Sequence, residues 1–293
     1  MSALPNSARS LVLIVVLILS SSVPALSATL RLRATGDSGS GDANQRAVGQ
    51  AMARIHQQNP VNLVILAGDN IYPSGDLGLL DATVRRPYRE LIQAGVPFHA
   101  VLGNHDIRTD NGNGMVKEPL FGMAGRWYVL HRGPVDLFMI DTNVNAAWQQ
   151  QLPWLIDALA TSRAPWKVVV GHHPLMSSGH YGDDPVGLKR LAPLFERYGV
   201  QLYINGHDHH YERSQPIRGT TYLVVGSGGA SLRPVVAGPR SAQALSAFSF
   251  AELEANDTNL IIRGWSAKGQ LIDQVRLITP PPAISATVKR QTP

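Results

Sequence analysis

The sequence predicts an α/β fold, and three patterns carry that expectation. First, short apolar runs end at once in glycine and a residue with an oxygen or imidazole donor. They are Leu63-Val64-Ile65-Leu66-Ala67-Gly68-Asp69, Ala100-Val101-Leu102-Gly103-Asn104-His105, Val168-Val169-Val170-Gly171-His172 and Val200-Gln201-Leu202-Tyr203-Ile204, which leads into Gly206-His207-Asp208-His209-His210. Four apolar residues are enough for a buried parallel strand. Open α/β sheets hold ligands at the carboxyl ends of such strands. Second, helical stretches alternate with these runs. Third, the C-terminal part reads as strands joined by hairpin turns.

In chain order, the first strand covers residues 29–35 and leads to Asp37-Ser38-Gly39, a weaker version of the strand–glycine–donor pattern. A helix follows over 45–57, with Asn44 as its cap. Strands over 63–67 and 99–102 come next, with a helix over 79–94 between them. The segment 108–125, rich in Asn, Gly and Asp, reads as a long loop bordering the site, since long loops in compact domains are usually functional. Strands over 128–130 and 135–141, a helix over 147–161 and a strand over 167–170 follow. A loop over 177–185 carries His180, and a helix over 186–198 leads to the strand over 201–204. Strands over 221–225, 248–254, 259–266 and 271–277 complete the fold. The last three are antiparallel, turning at Asn256-Asp257 and Lys268-Gly269. Residues from Pro280 to Pro293 read as a loose tail.

If the strand ends converge, they gather Asp, Asn and His side chains at one place. Seven of the ten histidines lie in or just beyond these segments: His105, His172, His173, His180, His207, His209 and His210. Turns and caps do not need imidazole, whereas His is the commonest metal ligand. The chain has no cysteine, which excludes thiolate zinc sites and iron–sulfur clusters. Mixed Asp, Asn and His donors suit zinc, iron or manganese. Asp37, Asp69, Asn104, His172, His207 and His209 exceed what one tetrahedral ion uses. Two ions roughly 3.5–4 Å apart, bridged by a shared carboxylate, are therefore the natural count. Asp69, central in the series, is the expected bridge. His173 and His210 each follow a ligand on extended chain and are expected to point the other way.

Five motifs give the pattern a family likeness: Asp37-Ser38-Gly39, Gly68-Asp69-Asn70-Ile71-Tyr72, Gly103-Asn104-His105-Asp106, Val169-Val170-Gly171-His172 and Gly206-His207-Asp208-His209. In kind and order the set resembles the calcineurin-like metallophosphoesterases, and within them the purple acid phosphatases of the short, single-domain, mammalian type. Tyr72 and Gly39 point to the purple subgroup: most calcineurin-like enzymes carry a histidine in the first motif and lack this tyrosine. The resemblance implies a four-layer α-β-β-α sandwich of two mixed sheets flanked by helices. It also implies that Asp37, Tyr72 and His209 hold ferric iron. Asn104, His172 and His207 would hold a divalent ion (iron, zinc or manganese), with Asp69 bridging the two. His105, and His180 at a slightly altered spacing, would act on the phosphate and leaving oxygen. The implied reaction is hydrolysis of phosphate monoesters by attack of metal-bound hydroxide. Two other readings stay open: a phosphodiesterase or nucleotide pyrophosphatase on the same metals, and a non-catalytic metal-binding protein. No Walker loop, Rossmann fingerprint or nucleophile elbow is present.

Residues 1–28 read as a Sec-type signal peptide, with Arg9 the only charge before the apolar stretch Leu11 to Leu19. That stretch is short for a membrane span of ~20 residues. A periplasmic or secreted bacterial enzyme with no anchor after cleavage is expected, with its catalytic domain over 29–279. The formal charge of +5 invites a nucleic-acid partner. Yet the basic residues are scattered, with no aromatic-interleaved stripe, so none is expected as a specific partner. Small phosphate esters, drawn by a mild positive field, are the expected substrates.

Overall fold

The structure, a computed structural model, describes residues 29–279; the expected leader and tail lie outside them. Two mixed sheets form the fold. The first contains β1 (Leu30–Thr35), β2 (Leu63–Leu66) and β3 (Phe98–Ala100) as parallel neighbours. The second contains β4 (Tyr128–Arg132), β5 (Val135–Met139), β6 (Trp166–Val170), β7 (Leu202–Asn205), β8 (Tyr211–Ser214), β9 (Thr221–Val225) and β10 (Ser241–Leu245), in the order β10-β8-β9-β7-β6-β5-β4. β11 (Ser249–Ala255), β12 (Asn259–Ser266) and β13 (Leu271–Ile278) return to the first sheet, giving the order β13-β12-β11-β1-β2-β3. As expected, these last strands pair antiparallel.

Period-two alternation explains why the strands read as unbroken apolar runs. Leu63 and Ile65 of β2 point into the core between the sheets, with Val168 and Val170 of β6 and Leu202 and Ile204 of β7. Val64 and Leu66 point outward against the helix α1 (Ala43–Gln58), through Val48 and Met52. On the other outer face, Val169 and Tyr203 pack against α4 (Trp148–Thr161) and α5 (Pro185–Tyr198), through Leu155, Leu191 and Phe195. Three apolar layers between four layers of structure make the α-β-β-α sandwich.

Several boundaries differ from expectation for local reasons. Asp42 rather than Asn44 caps α1: its carboxylate accepts from the backbone N–H groups of Asn44 and Gln45, satisfying donors that have no helical partner. The helix expected over 79–94 is broken into a 3₁₀ turn (Leu77–Leu79), a π turn (Asp81–Arg85) and the short helix α2 (Arg89–Gln93). Pro87 has no N–H and crowds the preceding turn, so the pattern cannot run through it. The 108–125 segment is not a bare loop: it contains 3₁₀ turns and the helix α3 (Asn113–Lys117).

Sheet one carries a buried ion pair. Arg33 Nη2 lies 2.8 Å from Glu252 Oε2, and Arg33 Nη1 donates to the Met52 carbonyl at 2.7 Å, tying β1 to β11 and to α1. The Arg33 side chain is 0% exposed. Replacing Glu252 by alanine leaves a buried guanidinium short of its counter-charge, a loss of about 3–5 kcal/mol. Urea unfolding checks this; a change under ~1 kcal/mol, the worth of an exposed pair, would show the pair to be idle.

Candidate metal centre

Every donor in the five motifs sits at the carboxyl end of a strand or in the turn that follows. Asp37 follows β1, Asp69 and Tyr72 follow β2, Asn104 and His105 follow β3, His172 follows β6, and His207 and His209 follow β7. The chain turns sharply to aim them. Asp37 (φ 54°), Asp69 (φ 53°) and His207 (φ 68°) all occupy the left-handed region. Such residues cost about 1–3 kcal/mol each and persist where the surroundings hold them. Gly68 (φ +88°) is required as glycine, because a Cβ there would collide with the His172 ring. At Gly206 a Cβ would strike the Asp37 carboxylate.

Two groups of donors result, joined by Asp69. In the first, the Tyr72 hydroxyl lies 3.1 Å from Asp37 Oδ1 and 3.1 Å from Asp69 Oδ2. His209 Nε2 lies 3.4 Å from Tyr72 Oη and 3.4 Å from Asp37 Oδ1. In the second, His172 Nε2 lies 3.1 Å from Asn104 Oδ1 and 3.5 Å from Asp69 Oδ1, and the His207 ring stands 5.1 Å from the His172 ring. One oxygen of Asp69 therefore faces each group. The structure brings all seven expected ligand side chains together.

Hydrogen bonds behind the imidazoles fix which nitrogen faces inward. His172 Nδ1 donates to the Ala67 carbonyl at 2.9 Å, and His209 Nδ1 donates to the Ser231 carbonyl at 2.8 Å. Each Nε2 therefore presents a lone pair to the centre, as a metal ligand must. Burial holds His172 well below the ordinary imidazole range. Burial, with the neighbouring His172 and His173, lowers His207 to about 2. Both are thus neutral. The oxygen donors show the opposite strain. Burial raises Asp37 to about 6, and Tyr72 is pushed far up by burial and by the Asp37 and Asp69 carboxylates. In the second group neutral imidazole lone pairs, and in the first crowded carboxylates around a phenol beside His209, whose pKa Asp37 raises against its burial, fit a cation in each group.

His105 stands beside this centre. Its Nδ1 donates to the Pro73 carbonyl at 2.7 Å, its ring meets Tyr72 edge-on at 4.5 Å, and Nε2 lies 4.0 Å from Asp69 Oδ2. His180 is placed differently. Its exposed ring packs on Tyr181 at 4.9 Å, and Tyr181 in turn stacks on His207 at 4.1 Å. His210 turns away, as expected, to Glu212 at 3.1 Å. His173 does not: its ring lies 4.5 Å from His207 and 4.9 Å from His172.

Four supporting residues escaped the sequence reading. The buried Asp106 carboxylate accepts from the backbone N–H groups of Asn70 (2.9 Å), Ile71 (3.2 Å) and Gly103 (2.8 Å), locking two donor loops together. Arg108 donates to His105 Nε2 at 3.1 Å, and the Arg233 guanidinium covers Tyr181 at 4.5 Å. Thr142 follows β5 and touches His173. A strand ending in Asp141-Thr142-Asn143 repeats the strand-end theme without its glycine, and that was the one available signal.

A sequence model of the calcineurin-like phosphoesterases matches residues 30–211. The chain belongs to this family. Among curated proteins, this phosphoesterase is 30% identical over 220 residues to purple acid phosphatase 3 of Arabidopsis thaliana, covering 65% of this chain and 60% of that protein. It is 27% identical over 260 residues to human tartrate-resistant acid phosphatase type 5, covering 75% of this chain and 79% of that protein. A purple acid phosphatase from yellow lupin seeds superposes with a TM-score of 0.76 at 21% identity, covering 86% of this chain and 54% of that one. The purple subgroup and the four-layer fold expected from the motifs are borne out. The chain spans 60% of the length of the first of these relatives.

Proposed function

We propose that this chain is an exported metal-dependent phosphatase acting on phosphate monoesters. Asp37, Tyr72 and His209 would hold ferric iron, Asn104, His172 and His207 a divalent iron, zinc or manganese, and Asp69 both. The observation that carries this is the Asp69 carboxylate, with one oxygen turned to each donor group. When bound, two such cations neutralise the phosphate dianion and lower the pKa of water toward neutrality. The remaining work falls to side chains. His105, its ring fixed by the Pro73 carbonyl, stands where it can hydrogen-bond a phosphoryl oxygen and protonate the departing alkoxide once its Nε2 exchanges the Arg108 hydrogen bond for a proton of its own. His180 is assigned the same role, its exposed ring packed on the Tyr181 that stacks on His207.

Metal analysis with a visible spectrum tests the proposal, alongside rates on p-nitrophenyl and bis-p-nitrophenyl phosphate from pH 4 to 9. Iron with a second ion, a purple colour bleached by dithionite and preference for the monoester are expected. Zinc or manganese without iron would remove the role given to Tyr72, and preference for the diester would replace the substrate class. His105→Ala is expected to retain both ions yet lose about 100-fold or more in kcat, the usual worth of a positioned acid. Loss of metal in that variant would show the residue to be a ligand instead. Export is checked at the N-terminus of the protein recovered outside the cytoplasm. It should begin at Ala28 or Thr29, and recovery starting at Met1 would refute cleavage.

A further inference from the structure

His173 is one residue past an expected ligand and turned toward the same centre, so its own role has to be settled. The hydrogen bonds of Thr142 settle it. Thr142 Oγ1 accepts from the backbone N–H of His172 at 3.1 Å and from that of His173 at 3.0 Å. A hydroxyl has two lone pairs and one hydrogen. With both lone pairs taken, the hydrogen must go to the third neighbour, His173 Nδ1, 2.9 Å away. Nδ1 is then an acceptor, and the imidazole carries its proton on Nε2. An imidazole in that form has no lone pair at Nε2 to give a metal. Thr142 thus separates His173 from its neighbour His172, whose Nδ1 donates to a carbonyl and whose Nε2 is free to ligate.

Nε2 of His173 has no protein partner among the described residues, so its N–H bond is open to something else. The ring lines a cavity of about 240 Å³ that it shares with Thr142, Tyr181 and His207. Its closest aromatic neighbours, His207 and His172, are both assigned to the second ion. An N–H donor at that place faces the ligand of that ion rather than the ion. We propose that His173 is a substrate-binding residue whose Nε2–H donates to a phosphoryl oxygen on the second-ion side, with Thr142 as its positioning residue. The proposal rests on the phosphatase function above and adds to it a third imidazole contact to the phosphate.

His173→Phe keeps the ring and removes the donor. Inorganic phosphate, measured as a competitive inhibitor, is expected to bind about 10- to 100-fold more weakly, the worth of a hydrogen bond to a charged partner. KM for p-nitrophenyl phosphate should rise with it. Zinc affinity of the second site should stay within about threefold. A loss of zinc affinity beyond tenfold would make His173 a ligand and overturn the proposal, as would unchanged phosphate binding. Thr142→Val leaves His173 in place and should reproduce the loss, while Thr142→Ser restores most of it. A separate readout needs no turnover. In the zinc-loaded protein with ¹⁵N-labelled histidine, the proton of His173 is expected on Nε2, and a proton on Nδ1 overturns the assignment. A wild-type protein that hydrolyses no phosphate ester would refute the phosphatase function and this role with it. An active wild type with unaltered His173→Phe kinetics would refute this role alone.

Discussion

Asp69→Ala is expected to abolish both metal binding and hydrolysis. The carboxylate is 1% exposed and stands between the two donor groups. Its Oδ2 takes the Tyr72 hydroxyl and its Oδ1 lies beside His172 Nε2. Asp69 thus places one carboxylate oxygen within 3.5 Å of a member of each group, and its loss removes the expected bridge. Oδ1 also accepts the His105 backbone N–H at 2.8 Å, so the variant loosens the loop carrying Asn104 and His105 as well. Charge stabilisation by bound cations is worth several kcal/mol at a phosphoryl transition state. A loss of about 4 kcal/mol corresponds to ~10³ in rate, and removing both ions should exceed that. The measurements are metal content after dialysis and kcat/KM on p-nitrophenyl phosphate. Retention of two ions per chain, or a rate within tenfold of wild type, would contradict the bridging assignment. Asp69→Asn should be nearly as damaging, because an amide is neutral and turns a donor toward one of the two groups.

Six of the expected ligands, Asp37, Asp69, Asn104, His172, His207 and His209, could be read from a local and repeated signal, whereas Tyr72 came only from the family resemblance. Apolar strand, glycine, donor is a short-range pattern, and four strands that end the same way have few reasons to do so unless they meet. The fold class followed from the same runs. What stayed hidden depends on contacts between distant segments. β8 reads Tyr211-Glu212-Arg213-Ser214, with no apolar alternation, yet all four residues are buried. Glu212 receives the Ser178 N–H at 2.8 Å and Arg213 pairs with Asp273 at 2.6 Å. Those partners lie 34 and 60 residues away. The same holds for His173. Alternation on an extended chain turns it away from His172, but the chain after β6 is not a strand, and Thr142, in the turn after β5, captures the ring. Tyr181 and Arg233 come from loops whose paths no sequence period determines. A pattern thus locates donors, and only the packing decides which neighbours orient them.

Asn104→Ala tests the second donor group alone. The Asn104 amide oxygen faces His172 Nε2, in the second group, at 3.1 Å. Removing it leaves Asp37, Tyr72 and His209 untouched, so the first ion and any colour arising from Tyr72 should persist. On the proposed assignment the second ion would lose a neutral oxygen donor and keep two imidazoles and half of a carboxylate. It should therefore bind more weakly rather than vanish. Activity is expected to fall by about 10²- to 10³-fold at micromolar metal, a range comparable to removing one preorganised electrostatic group from an active site. Raising the concentration of zinc or manganese should recover part of that loss, because the defect is occupancy. The two variants then form a pair with opposite signatures. Asp69→Ala is colourless and not rescued by added metal, whereas Asn104→Ala is coloured and partly rescued. Equal behaviour of the two would mean that the donors serve one ion. A near-normal rate for Asn104→Ala without added metal would remove Asn104 from the site.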